Sequence, residues 1–393
     1  MYPTLYDFLY DIFGDSIEFL SFLKIVNSFG LFVAISFIVS SWIFALELKR
    51  KEDEGLLKSH FIKVIKGEKL KTSQLLVNGI IGFLFGYKLL GVIFAISFGD
   101  GDINPQKYLM SMQGNVLTGI LGAAYMIYSK YKEAKKEELE TPVEVQEEVH
   151  PYQLMGNITI ISAVAGIIGA KIFHNLENFD EFLANPMTLF DPFSGLTFYG
   201  GLIFGGLAVV YYAKKKGIKL VHLLDASGPV MIAAYGMGRI GCQVSGDGDW
   251  GIANPNPKPD WLSWAPDWAW AYNYPNNVLN IDPATMVYDK FGTEITRGFV
   301  FPTPFYEILM MGVIFIILWS LREKLKPAGM MFGLYLIFNG IERFLIEKIR
   351  VNEHLFGTSI TQAEIISSIM ILAGITVCAW AYKKHKKPVL NES

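Results

Sequence analysis

Cysteine is nearly absent from this chain of 393 residues: only Cys242 and Cys378 occur, far apart. Two such cysteines give neither a disulfide framework nor a metal-ligand spacing. Histidine is scarce as well, and its six copies are scattered, which leaves no histidine metal cluster. Charge of one sign is not in excess. The formal net charge is -3, so no nucleic-acid partner is expected. The first 18 residues hold Asp7, Asp11 and Asp15 but no Lys or Arg. A cleaved signal peptide needs a positive start, so that reading is excluded.

Apolar residues are abundant. They make up 52% of the chain, and the mean hydropathy is +0.33. Several apolar runs near 20 residues long predict an all-α polytopic membrane protein rather than a soluble globule. By hydropathy and length there are about nine transmembrane helices, at roughly 25–47, 75–97, 110–129, 156–174, 197–213, 225–243, 304–321, 329–349 and 361–382. Lysine and arginine cluster after the first, third, fifth, seventh and ninth spans, from Lys49 onward to Lys387. If the spans alternate, these clusters share one side. The positive-inside rule makes that side cytoplasmic, with the N-terminus outside and the C-terminus inside.

The chain divides accordingly. Residues 1–73 hold an N-terminal segment, the first span and a cytoplasmic loop. Residues 74–132 hold a helix pair, 133–152 a linker rich in Lys and Glu, 153–383 a core, and 384–393 a tail. The stretch Gly82-Phe-Leu-Phe-Gly86-Tyr-Lys88 is similar to Gly166-Ile-Ile-Gly169-Ala-Lys171. Spans two and three therefore read as a divergent copy of spans four and five, against the alternative that small-residue membrane helices look alike by chance. A loop over 245–302 holds Trp250, Trp261, Trp264, Trp268 and Trp270. It reads as an aromatic belt at the membrane–water interface, or as a lid and docking surface for a lipid or apolar peptide.

The chemistry concentrates in two stretches. The first is Tyr235-Gly-Met-Gly-Arg-Ile-Gly-Cys-Gln-Val-Ser-Gly-Asp-Gly-Asp-Trp-Gly251. It contains a G-x-G-x-x-G, but an apolar helix precedes it where a dinucleotide site needs a strand. Arg239 lies in that apolar run. A charge inside a membrane helix costs about 2.5–3.5 kcal/mol on insertion scales, so it needs a partner or a task. The second is Gly333–Arg350. At about 100° per residue, Asn339, Arg343, Glu347 and Arg350 share one face, and Glu347 is spaced to pair with Arg343. Converging guanidiniums suit a phosphate headgroup, which Arg grips bidentately. A buried pair that only holds two helices together is the alternative.

Both stretches resemble motifs of the prolipoprotein diacylglyceryl transferase family. Gly238, Arg239, Gly241, Asp247 and Gly251 match its G-R-x-G-N-F-x-N-x-E-x-x-G signature in kind, with one extra residue before Trp250. Cys242 and Ser245 stand where that signature has Asn. Arg343, Glu347 and Arg350 match a second motif, in which Asn339 replaces a Tyr. Tyr306 and Glu307 resemble its P-x-x-x-Y-E, and Asp225 with Pro229 its D-x-x-x-P, where a helix N-cap explains Asp225 equally well. Tyr199-Gly200-Gly201-Leu-Ile203 resembles its H-G-G-L-I with Tyr in place of His, and Phe29-Gly-Leu31 its Y-G-L. The resemblance covers about 300 residues, all but spans two and three and the tails. The family has seven spans, so an inserted pair gives nine.

The resemblance implies a multi-pass enzyme of the bacterial inner membrane. Such an enzyme transfers the diacylglyceryl group of phosphatidylglycerol to the lipobox cysteine thiol in the signal-peptide region of a preprolipoprotein. No metal or organic cofactor is implied. Arg239, Arg343, Tyr199 and Glu347 are the catalytic candidates, with the arginines stabilising the leaving phosphate. Arg239, Arg350, Asp247, Gly251, Asn339, Tyr306, Gly200 and Gly201 are the substrate-binding candidates. A free thiol ionises near pH 8.5, so it needs a base or a positive field. A phenol near pKa 10 is a poor base. Tyr199 then only positions substrate, or the arginines lower the substrate thiol's pKa, or Asp247, Glu347 or His174 takes the proton. A satisfied interfacial histidine is the plainer reading of His174, and packing that of Cys242. A non-catalytic lipid-binding or transporter-like membrane protein on the same fold is the rival, since Gly-rich helices with buried charges suit transporters too.

Overall fold

The computed structural model describes residues 1–98, 103, 105–186, 195, 197–280, 299–352 and 360–386. Ten principal helices order the chain: α1 Leu5–Phe13, α2 Ser28–Asp53, α3 Thr72–Phe98, α4 Val116–Glu137 and α5 Met155–Glu177, then α6 Phe198–Lys215, α7 Leu220–Ser245, α8 Thr303–Leu321, α9 Met330–Ile346 and α10 Gln362–Lys386. Six helices among the described residues are long and apolar enough to cross a membrane: α2, α3, α5 with its leading turn from Pro151, α7, α8 and α10. The expected all-α polytopic character is present. Of the remaining expected spans, the one in α9 is an unbroken helix of 17 residues that carries Glu342 and Arg343.

α7 is the centre of the packing. It lies against α2 on one side and against α8 and α9 on others, while α10 backs α9. Gly236 lets α8 come close, since an added Cβ there would sit 3.1 Å from Met311 Cβ. Gly241 does the same for α2, with Phe32 Cβ at 3.1 Å. An apolar cluster of Ile232, Met311, Ile314, Leu318, Met331 and Tyr335 closes the seam between α7, α8 and α9.

Two further helix hairpins are present. α3 packs on α4, with Gly82 and Gly122 facing each other's backbone; α5 packs on α6, with Gly169 and Gly200 in the same reciprocal contact. The glycine pattern that made the two hairpins similar in sequence is thus the crossing point in each.

Two sequence expectations are corrected. The solvated linker 133–152 contains a strand that its composition did not predict. Its residues Val143–Val149 form β2, antiparallel to β1 (His60–Lys66), with His60 opposite Val149 and Lys66 opposite Val143. Alternating Val in the acidic run fits a ribbon, and Lys63–Glu144 (2.7 Å) and Lys66–Glu147 (3.1 Å) pair across it. The ribbon brings together the two ends of the segment that carries α3 and α4. Asp225, read as an N-cap of its own span, lies inside α7. It is buried and instead accepts the N–H groups of Gly329 (2.7 Å) and Phe332 (3.0 Å), so it caps α9.

The aromatic loop is described through Asn280 and again from Phe299, so part of 245–302 lies outside the described residues. Trp250 is buried against Tyr274 and Val300. Trp261 and Trp264 are exposed, at 72% and 81%, on turns that follow Pro259 and precede Pro266. Trp268 packs edge-on against Phe305 at the start of α8. Much of tail 384–393 also lies outside the described residues.

Candidate functional site

Arg239 projects from the last turns of α7, with its guanidinium 5.1 Å over the ring of Tyr235 one turn earlier. The helix ends at Ser245, and Gly246 donates its N–H to Cys242 at 2.9 Å with a φ of 65°. Gly248 follows at 94°. Two left-handed glycines so close together turn the chain back on the helix. That reversal brings Asp249 onto Arg239 in a short ion pair.

Asp249 also meets Arg350, whose Nη2 lies 2.8 Å from Oδ1. Arg350 reaches it because residues 349–350 run antiparallel to Gly251 and Ile252, with Ile252 N–H bonded to the Ile349 carbonyl at 2.8 Å. A Cβ on Gly251 would stand 2.8 Å from Thr303 Cγ2 and 2.9 Å from Phe301 Cβ, so this strand-like contact needs the glycine. Burial would raise the Asp249 carboxyl, but Arg350 and Arg239 outweigh it and hold the group below its usual range.

Glu307 is the second hub, one turn into α8 and fully buried. Its Oε2 lies 3.1 Å from Arg239 Nε; its Oε1 lies 3.5 Å from Arg350 Nη1 and 4.0 Å from Arg343 Nη1. Tyr235 donates its hydroxyl to the same Oε1 at 2.7 Å. Arg343 Nη2 pairs with Glu347 at 2.9 Å, the one-turn pairing the sequence spacing predicted. Glu347 is fully buried and accepts both amide contacts of Asn352, at 2.7 and 2.8 Å. Tyr199, at the start of α6, is within electrostatic reach of Arg343 and Glu347. Arg239, Arg343, Arg350, Glu347 and Tyr199 therefore come together from α6, α7, α9 and the turn after α9.

The other candidates make no ion pair with the arginines among the described residues. Asp247 accepts the Asp249 N–H at 3.3 Å, and burial raises its carboxyl. The arginines are held by Asp249 instead. Asn339 approaches the Tyr335 hydroxyl at 3.5 Å, and Tyr306 donates to the Trp270 carbonyl at 3.4 Å. Gly200 and Gly201 face Gly169 and Gly166 at the α5–α6 crossing. His174 meets Asn178, one turn on in its own helix. Cys242 Sγ is 3.9 Å from both Arg239 Nη1 and Asp249 Oδ2. Cys242, Asp247 and Asp249 offer ligand atoms within 4.8 Å of one another. The set mixes a soft thiol with hard carboxylates, and two guanidiniums already occupy Asp249, so it fits a cation poorly.

Sequence reasoning missed Asp249, Tyr235 and Glu342. The Gly246-Asp-Gly248-Asp249 alternation leaves the choice of aspartate to the sign of φ, which residue spacing does not reveal. Tyr235 was visible as the residue one helical turn before Arg239. Glu342 lies next to Arg343 and is 2% exposed, on the α9 face that also carries Tyr335 and Ile346.

Three guanidiniums around two carboxylate hubs are suited to an anion that carries several oxygens. A family model described as prolipoprotein diacylglyceryl transferase matches residues 116–380. That stretch includes every arginine and carboxylate of the site; it begins in α4, whereas α2, which packs on α7, precedes it. A phosphatidylglycerol--prolipoprotein diacylglyceryl transferase of Vibrio vulnificus (strain CMCP6) is 33% identical over 227 residues, covering 56% of this chain and 71% of its own. A protein of the same name from Pseudomonas paraeruginosa is 30% identical over 227 residues and 73% of its length. One from Vibrio campbellii is 32% identical over 70% of its length. With the family model covering well over half of its length, the chain belongs to the prolipoprotein diacylglyceryl transferase family.

Proposed function

We infer that this protein transfers the diacylglyceryl group of phosphatidylglycerol to the lipobox cysteine thiol of a preprolipoprotein. The observation that carries the reading is the convergence of Arg239, Arg343 and Arg350 on Glu307. The substrate sulfur attacks the glycerol carbon that bears the phosphate ester. The carbon–sulfur bond forms, the carbon–oxygen bond breaks, and glycerol phosphate leaves with the electron pair. Arg239 and Arg343 stabilise the charge that grows on the leaving phosphate. Glu347 orients Arg343, Arg350 extends the anion site, and Tyr199 positions the substrate by its hydroxyl. The positive field of the arginines favours the thiolate.

On this reading α4, α6 and α9 also cross the bilayer of a bacterial inner membrane, giving nine spans. The lysine clusters face the cytoplasm, and the Trp-rich loop lies outside, where the signal-peptide region of the acceptor arrives. A cysteine placed at Asn273 should react with an impermeant reagent on intact cells and one at Lys215 should not; the opposite pattern contradicts this orientation. For the activity, the purified protein is incubated with phosphatidylglycerol and a lipobox peptide, and the peptide is weighed. A gain equal to one diacylglyceryl group supports the reading. An unchanged mass supports a non-catalytic lipid-binding protein on the same fold.

A further inference from the structure

Four polar groups inside the arginine cluster lack a hydrogen-bond partner among the described residues, and one of them, Glu307 Oε2, is ion-paired with Arg239 at 3.1 Å. Arg343 Nη1 and Arg350 Nε are buried donors, and both carboxylate oxygens of Glu342 are buried acceptors, none with a hydrogen-bond partner among the described residues. Glu342 interacts electrostatically with Glu307, Arg343, Arg239 and Arg350, which places it in the same cluster. Buried polar groups are nearly always satisfied, so a set of orphans in one place points to a missing ligand. This set has a definite complement: a molecule with anionic oxygens for the two guanidinium atoms and with hydroxyl donors for a carboxylate.

We propose that Glu342 is a specificity residue that accepts hydrogen bonds from the hydroxyl groups of a glycerol headgroup, while Arg343 and Arg350 hold the phosphate attached to it. This rests on the transferase reading above and deepens it. A phosphodiester with a terminal diol offers two O–H donors, and a carboxylate offers two oxygens with lone pairs in one plane. Asp249, Glu307 and Glu347 are each ion-paired with an arginine; among the described residues Glu342 is the one of these four carboxylates with neither an ion pair nor a hydrogen bond on its oxygens. Its position next to Arg343 on α9 couples the two halves of the recognition: the helix that grips the phosphate also reads what the phosphate carries. A headgroup without hydroxyls leaves a buried carboxylate unsatisfied, and discrimination of that kind is large.

The test compares two lipid donors in the full-length protein: phosphatidylglycerol, and phosphatidylmethanol, which keeps the phosphodiester but has no hydroxyl. Wild-type protein should favour phosphatidylglycerol in kcat/KM by at least about tenfold, the size expected for hydrogen bonds to a charged group. Glu342→Leu should bring the ratio of the two donors to about one, and Glu342→Gln, which keeps one acceptor oxygen and the side-chain shape, should leave an intermediate ratio. An unchanged ratio in Glu342→Leu, or equal loss with both donors, overturns the proposal. So does a variant that alters only transfer from phosphatidylethanolamine, which would assign the carboxylate to a cation. Retention of each lipid on the purified protein gives a second readout. If wild type transfers from no donor yet retains phosphatidylglycerol over phosphatidylmethanol and Glu342→Leu does not, the transferase reading fails and the subsite stands. Equal retention by wild type overturns the subsite.

Discussion

Arg239 Nε lies 3.1 Å from Glu307 Oε2, and this contact ties α7 to α8 at the point where both reach the site. Without it, Arg239 would keep only the Asp249 pair, made by the loop after its own helix. Glu307 also faces Arg343 and Arg350, so one buried carboxylate is shared by three guanidiniums, which Asp249 and Glu347 pair with as well.

Glu307 should therefore be the most sensitive carboxylate for stability. Glu307→Ala removes the shared partner and leaves buried guanidiniums facing one another. Breaking a buried ion pair by deleting one partner costs about 3–5 kcal/mol, and this variant should lose stability on that scale. Thermal unfolding in detergent measures it, with Glu307→Gln falling between wild type and Ala because it still accepts the Tyr235 hydroxyl. A Glu307→Ala protein as stable as wild type would show that the arginines are balanced elsewhere.

The Asp249 carboxyl, held down by Arg350 and Arg239 against the effect of burial, predicts a pH dependence. A lowered folded value contributes stability above the unfolded carboxylate value, about 3.9, and that contribution fades as pH falls through the lowered value. Asp249→Asn should thus unfold earlier than wild type at pH 7, and the gap should close below about pH 4. Melting curves across pH 3 to 8 would show this; a gap that widens toward acid would contradict the pairing.

Much of the site is legible in the sequence because helical periodicity is rigid. Arg343 and Glu347 pair one turn apart as the spacing predicts, and Arg239 in an apolar run announces a buried partner. Arg350, expected on the same helix face, lies past the end of α9 in extended backbone and reaches the site through its bridge to Gly251. The backbone reversal after Ser245 was not legible. It depends on two left-handed glycines, and it selects Asp249 over Asp247. The β1–β2 ribbon was hidden for another reason: its strands lie far apart in sequence, and the run of glutamates masks the alternating valines of β2. Asp225 was misplaced because a cap from another helix leaves no mark in local sequence.

Tyr199 stands where the resemblance implies a histidine, and it lies within reach of Arg343 and Glu347. On the proposed reading it orients the substrate by hydrogen bonding and does not take the proton. Tyr199→Phe should then slow transfer on the order of tenfold, as for loss of one hydrogen bond to a charged group. The shape of the pH–rate profile should stay the same. A loss of the basic limb in Tyr199→Phe would instead make the phenol the base.

The ribbon allows a clean excision of the extra helices. Lys66 and Val143 are opposite one another, so a two-residue Asn-Gly turn can join them in place of residues 67–142. The shortened protein keeps α2 against α7 and every residue of the arginine cluster. It should retain measurable transfer. Complete loss in a shortened protein that still inserts and folds would place α3 or α4 at the active site, in line with the start of the family match inside α4.

The central claim is that Arg239 contacts the lipid phosphate in the transition state. The most direct measurement is the transfer rate of Arg239→Lys and Arg239→Ala at saturating phosphatidylglycerol, on protein shown to be folded and inserted. Lysine keeps the charge but loses the planar two-donor fork. The rate of Arg239→Lys should fall on the order of 100-fold, as for removal of one preorganised donor, and that of Arg239→Ala should fall further. Rates near wild type for both variants would remove Arg239 from the reaction and contradict the account.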